Sequence, residues 1–133
     1  FSKLHTLNDI IIPELTLDAD PGLVVSLNLI SQLDVLPVRF LRKRARVPEE
    51  QFEKFRIAVQ QKHIDFLSKH PSVMITDTTE VYINKPDNSY DYQWVVADLP
   101  EGKYKEEWTW DFDLDKSYSH EKRSVLKVVA LIL

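Results

Sequence analysis

Residues 48–83 read PEEQFEKFRIAVQQKHIDFLSKHPSVMITDTTEVYI, and the fold turns on this stretch because its hydrophobic period changes partway along. Up to His70, Phe52, Phe55, Val59, Phe66 and Leu67 recur at three- and four-residue spacings. Ile57 and Ile64 widen the stripe, while Glu53, Arg56, Gln60 and Lys69 fall mostly to the other side. That is the period of an amphipathic helix. Pro48 suits the first helical position, where a missing N–H is no loss, and Glu49, Glu50 and Glu53 put negative charge at the positive end of the helix dipole. Lys62, Lys69 and His70 do the reverse at the other end. The pattern predicts a helix over Pro48–His70, of about 22 residues and roughly 33 Å. Pro71 stops it, since a proline pushes the residue before it out of the helical region. Beyond Pro71, Val73 and Ile75, then Val81 and Ile83, alternate with polar neighbours, which is the period of strands.

Strand signals continue downstream. Lys85-Pro86-Asp87-Asn88-Ser89 has turn chemistry, and Tyr90 to Ala97 places Tyr90, Tyr92, Trp94 and Val96 on one side. Leu99-Pro100-Glu101-Gly102-Lys103 makes a second turn. The cleanest alternation follows: Trp108, Trp110, Phe112 and Leu114 on one face, and Glu107, Thr109, Asp111, Asp113 and Asp115 on the other, predict a strand buried on one side. Lys116 to Arg123 reads as a loop. Ser124 to Leu133 is apolar on both sides, as in a central strand. Upstream, Asn8 to Leu17 reads as a short strand broken by Pro13. Pro21 to Leu36 reads as a helix capped by Asp20, in competition with the alternation of Val25, Leu27 and Leu29, and Val38 to Arg46 as an exposed strand or linker. The expected fold class is α+β: a mostly antiparallel sheet, a four-strand meander after the long helix, packed on one or two helices. No repeat or boundary divides the chain, so residues 1–133 are read as one domain, cut from a longer protein because it starts at Phe1 and ends on an apolar run.

Composition bounds the function. With 44% hydrophobic and 29% charged residues and a net charge of −4, the chain carries enough apolar side chains for a core of its own. No apolar run reaches the ~20 residues of a membrane span. Having no cysteine, it can form neither a disulfide nor a thiolate nucleophile nor a cysteine-ligated zinc site, which fits a reducing, intracellular compartment. Its two glycines are both taken by turns, leaving none for a phosphate-cradling loop, a dinucleotide fingerprint or a GxSxG elbow. Asp111-x-Asp113-x-Asp115 opens like a calcium loop, but Lys116 and Lys122 stand where that loop needs glycine and glutamate. His5, His63, His70 and His120 form no zinc spacing. No metal, no cofactor and no catalysis are therefore expected.

Charge is segregated along the chain. Arg39, Arg42, Lys43, Arg44 and Arg46 crowd the segment before the long helix, and seven acids lie between Asp98 and Asp115. Each can be a solvated surface; each can also dock a partner of opposite sign. The leading expectation is a non-enzymatic protein-interaction domain of a larger intracellular protein. Its contacts would be Arg42, Lys43, Arg44 and Arg46 on one side and Trp110, Asp111 and Asp113 on the other. The partner would be another protein, or a second copy joining basic run to acidic strand; nucleic acid ranks behind both. Two alternatives stand beside it: a small-molecule binder or cofactor-free enzyme with an aromatic cavity between sheet and helix, and an acidic inhibitor of a nuclease or other basic protein.

Overall fold

The computed structural model describes residues 3–85, 88–113 and 123–133. The elements run β1 (Val24–Leu27), α1 (Val35–Arg42), α2 (Glu49–Ser68), β2 (Ser72–Lys85), β3 (Asn88–Gln93), β4 (Tyr104–Trp110) and β5 (Arg123–Ile132). The fold is α+β, with two helices and a mostly antiparallel five-stranded sheet. The order β1-β2-β5-β4, with β3 on β2, replaces the expected meander. β5 inserts between β2 and β4 because its apolar residues suit an inner strand, whereas the charged β4 can remain an edge. The two strand signals after Pro71 fuse into one 14-residue strand with a bulge between Asp77 and Thr79. This strand pairs with β5 along one side; along the other it takes β1, parallel, for its first part and β3, antiparallel, for its second.

The helix expected over Pro21–Leu36 is overturned. Val24–Leu27 is a strand in register with Ser72–Ile75, so partner pairing outweighs the competing helical spacing. The segment expected as strand or linker from Val38 is instead α1, which holds Pro37 in its first turn, where a proline is tolerated. Asn8–Leu17 forms no strand and runs irregularly past α2, tied by the Glu14–Lys62 ion pair at 3.2 Å. Tyr90–Ala97 keeps to the sheet only as far as Gln93.

The long helix stands where periodicity puts it. One face packs Ile64 and Leu67 on Met74, Val129 and Leu131 of the sheet, and its first half packs Phe52 and Phe55 on Leu7 and Leu41. Three assignments on it are corrected. Ile57 is exposed, whereas Arg56 and Gln60 are buried, because they meet a polar partner set rather than water.

Candidate functional site

That partner set is a buried bridge. Arg56 Nε donates to Asp34 Oδ2 at 2.6 Å, and its Nη2 donates to Gln93 O at 3.0 Å. Gln60 Nε2 donates to Asp34 Oδ1 and Trp94 O, while Gln60 Oε1 accepts from the N–H groups of Val96 and Ala97. Asp34, Arg56 and Gln60 are each more than nine-tenths buried, so the ion pair is satisfied on all sides, as an interior charge requires. The bridge fastens α1, α2 and the segment after β3, and forms the floor of a cleft of about 660 Å³ with Val38, Arg39, Lys43, Tyr92 and Trp94 around it.

The basic run is distributed over this region. Arg42 pairs with Glu49 and stacks over Phe52, its guanidinium carbon 4.3 Å from the ring centre. Arg44 stacks over Phe40 at 3.8 Å. Arg46 is exposed, and its N–H donates to Leu4 O. Arg39 and Lys43 make no ion pair among the described residues and both line the cleft. The run is therefore a helix end with two of its cations already engaged.

The acidic strand is depleted in the same way. Asp111 is paired with Arg123. Asp113 is buried, with the N–H of Ser124 directed at its Oδ2 at 3.4 Å, so it presents no surface charge. Leu114, Asp115, His120 and the expected loop up to Lys122 lie outside the described residues, as do Pro86 and Asp87 of the first turn. Among the described residues no three His, Asp or Glu side chains gather to hold a metal ion. Nor is any helix among them long and apolar enough to cross a membrane.

A serine and a histidine do meet. Ser26 Oγ lies 2.8 Å from His63 Nε2, beside an apolar pocket of about 340 Å³ between β1, α2 and Ile12–Leu15. Burial pushes the His63 pKa down and favours the neutral ring, which shares one hydrogen bond with the Ser26 hydroxyl. Ser26 is buried, and both side chains line that pocket.

The sequence singled out Trp110 but missed the surface it belongs to. Register places Val25 and Leu27 of β1, Val73 and Ile75 of β2, Val128, Ala130 and Ile132 of β5, and Tyr104, Trp108 and Trp110 of β4 on one face of the sheet. The opposite face carries Met74, Val129 and Leu131 and is closed by α2. On the first face Val25, Leu27, Tyr104, Trp108, Trp110 and Ile132 are each more than two-fifths exposed. All seven residues of β4 are exposed, and its outer edge has no partner among the described strands. The expected one-sided burial of the Trp108/Trp110 face does not occur, because the helices lie on the other side of the sheet. The period-2 alternation was the available signal; it told which residues share a face and not what covers it.

No family model, curated protein or solved structure matches this chain. Its function is therefore argued from the geometry alone.

Proposed function

We propose that this domain is a protein-interaction module of a larger intracellular protein, docking its partner on the open face of its sheet rather than through segregated basic and acidic segments. The observation that carries the reading is the exposure of that face. Two tryptophans, a tyrosine and three aliphatic residues lie contiguous in register and more than two-fifths exposed, while α2 closes the other face over β2 and β5. Contiguous apolar surface of this kind is rare on monomers that need no partner, and Trp and Tyr dominate binding hot spots.

The test compares partner capture by the parent protein carrying Trp108→Ala/Trp110→Ala with capture by Arg39→Glu/Lys43→Glu. Loss with the first pair and retention with the second supports the reading; retention with the first pair removes the sheet face from it. A second reading rests on a separate observation. Arg39 and Lys43, unpaired among the described residues, share a cleft with the rings of Tyr92 and Trp94; its carboxylates Glu49 and Glu53 are paired with Arg42 and Arg56, so the two free cations with the rings suit a planar anionic ligand. Titration of the Arg39→Glu/Lys43→Glu and wild-type proteins with nucleoside phosphates, followed by tryptophan emission, tests it. A wild-type response that the variant lacks supports the cleft, and no response from the wild type ends this reading.

A further inference from the structure

We infer that the occupant of the open sheet face is a second copy of this chain, the two copies packing face to face as a β-sandwich about a two-fold axis. The inference rests on the interaction reading above and names its partner.

Area is the first argument. With fully exposed aromatic side chains presenting ~150–250 Å² each, the six exposed residues of the face offer roughly 600 Å² per copy. The partly buried Val73, Ile75 and Leu126 between them add to it. Two copies then bury roughly 1,200–1,500 Å², inside the ~1,200–2,000 Å² of stable, specific interfaces.

Chemistry is the second. Across β1 and β4 the exposed part of the face holds one carboxylate, Glu106, which accepts from the Tyr104 hydroxyl at 3.3 Å. β4 is an edge strand, so Glu106 sits at the side of the face with Tyr104 and Trp108 on either side of it, while Val73, Ile75, Ala130 and Ile132 of the inner strands form an aliphatic centre. Depletion of charge from the centre and a polar rim are the composition of homodimer interfaces. Register also puts Asp77 and Glu80 of β2 on this face, but both are buried, so among the described residues a strongly basic partner would meet Glu106 as its one exposed carboxylate.

Geometry is the third. Twisted sheets pack face to face with strand directions within ~30° and a separation of ~10 Å. Two identical faces meet that condition through a two-fold axis, which makes the contact isologous and closed. Pairing β4 edge to edge would instead leave the face bare, and it would put the like-charged Glu106 or Glu107 opposite its own copy when centred on either residue. The resulting particle has four layers, helices outside and two sheets within.

Sedimentation equilibrium at micromolar concentration provides the test, using the wild type, Leu27→Glu, Trp110→Glu and the opposite-face control Thr109→Glu. Leu27 and Trp110 lie at the two ends of the face, on β1 and β4, and both are exposed in the single chain, so either charge leaves the folded monomer intact. Should circular dichroism show a loss of fold, Leu27→Ser and Trp110→Ser carry the same comparison. The expected result is twice the chain mass for the wild type and Thr109→Glu, unchanged in high salt, with association weakened by roughly 30-fold or more in both face variants. A dimer that survives Leu27→Glu but not Trp110→Glu is an edge association and overturns the sandwich. A dimer that dissociates in high salt overturns it too. A monomeric wild type overturns the second copy as occupant, while the interaction reading stands or falls separately on capture by Trp108→Ala/Trp110→Ala.

Discussion

His63 illustrates how one side chain ties the sequence to a measurable pH response. Its Nε2 lies 2.8 Å from Ser26 Oγ, and burial depresses its pKa in the fold. The unfolded chain, with its imidazole near ~6.5, takes up the proton first. Stability from this group is therefore complete above about 6.5 and is lost as pH falls through the lower folded value. Melting curves should show a falling midpoint from pH 7 downward, a component absent in His63→Phe. An unchanged slope in that variant would remove His63 from the account. Glu14, Glu49 and Glu50 are lowered by hydrogen bonds to Lys62, Arg42 and Lys54 and add their own losses only below 4.5, so their losses begin at lower pH than that of His63. Arg56 is the other residue whose placement matters. Truncation to Ala leaves Asp34 buried without its cation, which should cost about 3–5 kcal/mol in denaturant titration. The Asp34→Leu/Arg56→Met pair should cost less than Arg56→Ala, and a larger cost for the pair would show that the bridge holds the fold by more than charge compensation.

At the scale of elements, α2 was legible because twenty residues repeat one period and end against Pro71. β5 was legible as an inner strand from its unbroken apolar run, and β4 in part, since the alternation read over Glu107–Asp115 overlaps the strand Tyr104–Trp110 only at its end. What could not be read was partnership. Val24–Leu27 carries a helical and an alternating pattern at once, and its four residues choose the strand only because Ser72–Ile75 is there to pair with. The order of β4 and β5 likewise depends on contacts far apart in the chain. The candidate site was legible at Trp110 alone, since Leu27 and Ile132 join it only through register across three strand pairs. Gly102 gives this level its test. It adopts φ +67°, and a Cβ there would sit 2.5 Å from Ile132 O, at the point where Lys103 N–H bonds that carbonyl and docks β4 on β5. Gly22 has a similar φ of +70° with open space around it. Gly102→Ala should destabilise by about 1–3 kcal/mol and loosen β4, against ~1 kcal/mol or less for Gly22→Ala, which isolates the clash from the backbone strain. Equal costs for the two would mean that the approach to Ile132 relaxes freely.

The whole molecule is held by two apolar clusters joined through a polar bridge rather than by one continuous core. Ile30, Ile64, Leu67, Met74, Val129 and Leu131 form the cluster under the sheet, and Leu7, Leu41, Phe52 and Phe55 form a smaller one around the first half of α2. Arg56 and Gln60 lie on the helix between them. The smaller cluster is also pinned by the Leu7 N–H donating to Gln51 Oε1 and by the Leu4–Ala45 bridge, both made by the irregular first segment. A segment with few backbone bonds opens more readily than sheet strands bonded on both sides, so the two clusters should behave as separate cooperative units. Native-state hydrogen exchange should find the amides of α1 and of residues 52–56 exchanging through an opening of lower free energy than those of β2 and β5. Leu7→Ala, which removes a buried side chain from the smaller cluster, should lower that opening by about 2–5 kcal/mol while the strand amides keep their rates until global unfolding takes over. A single exchange free energy across both sets would mean that the bridge of Asp34, Arg56 and Gln60 couples the clusters into one unit. In that event Asp34→Leu/Arg56→Met is the substitution that should uncouple them.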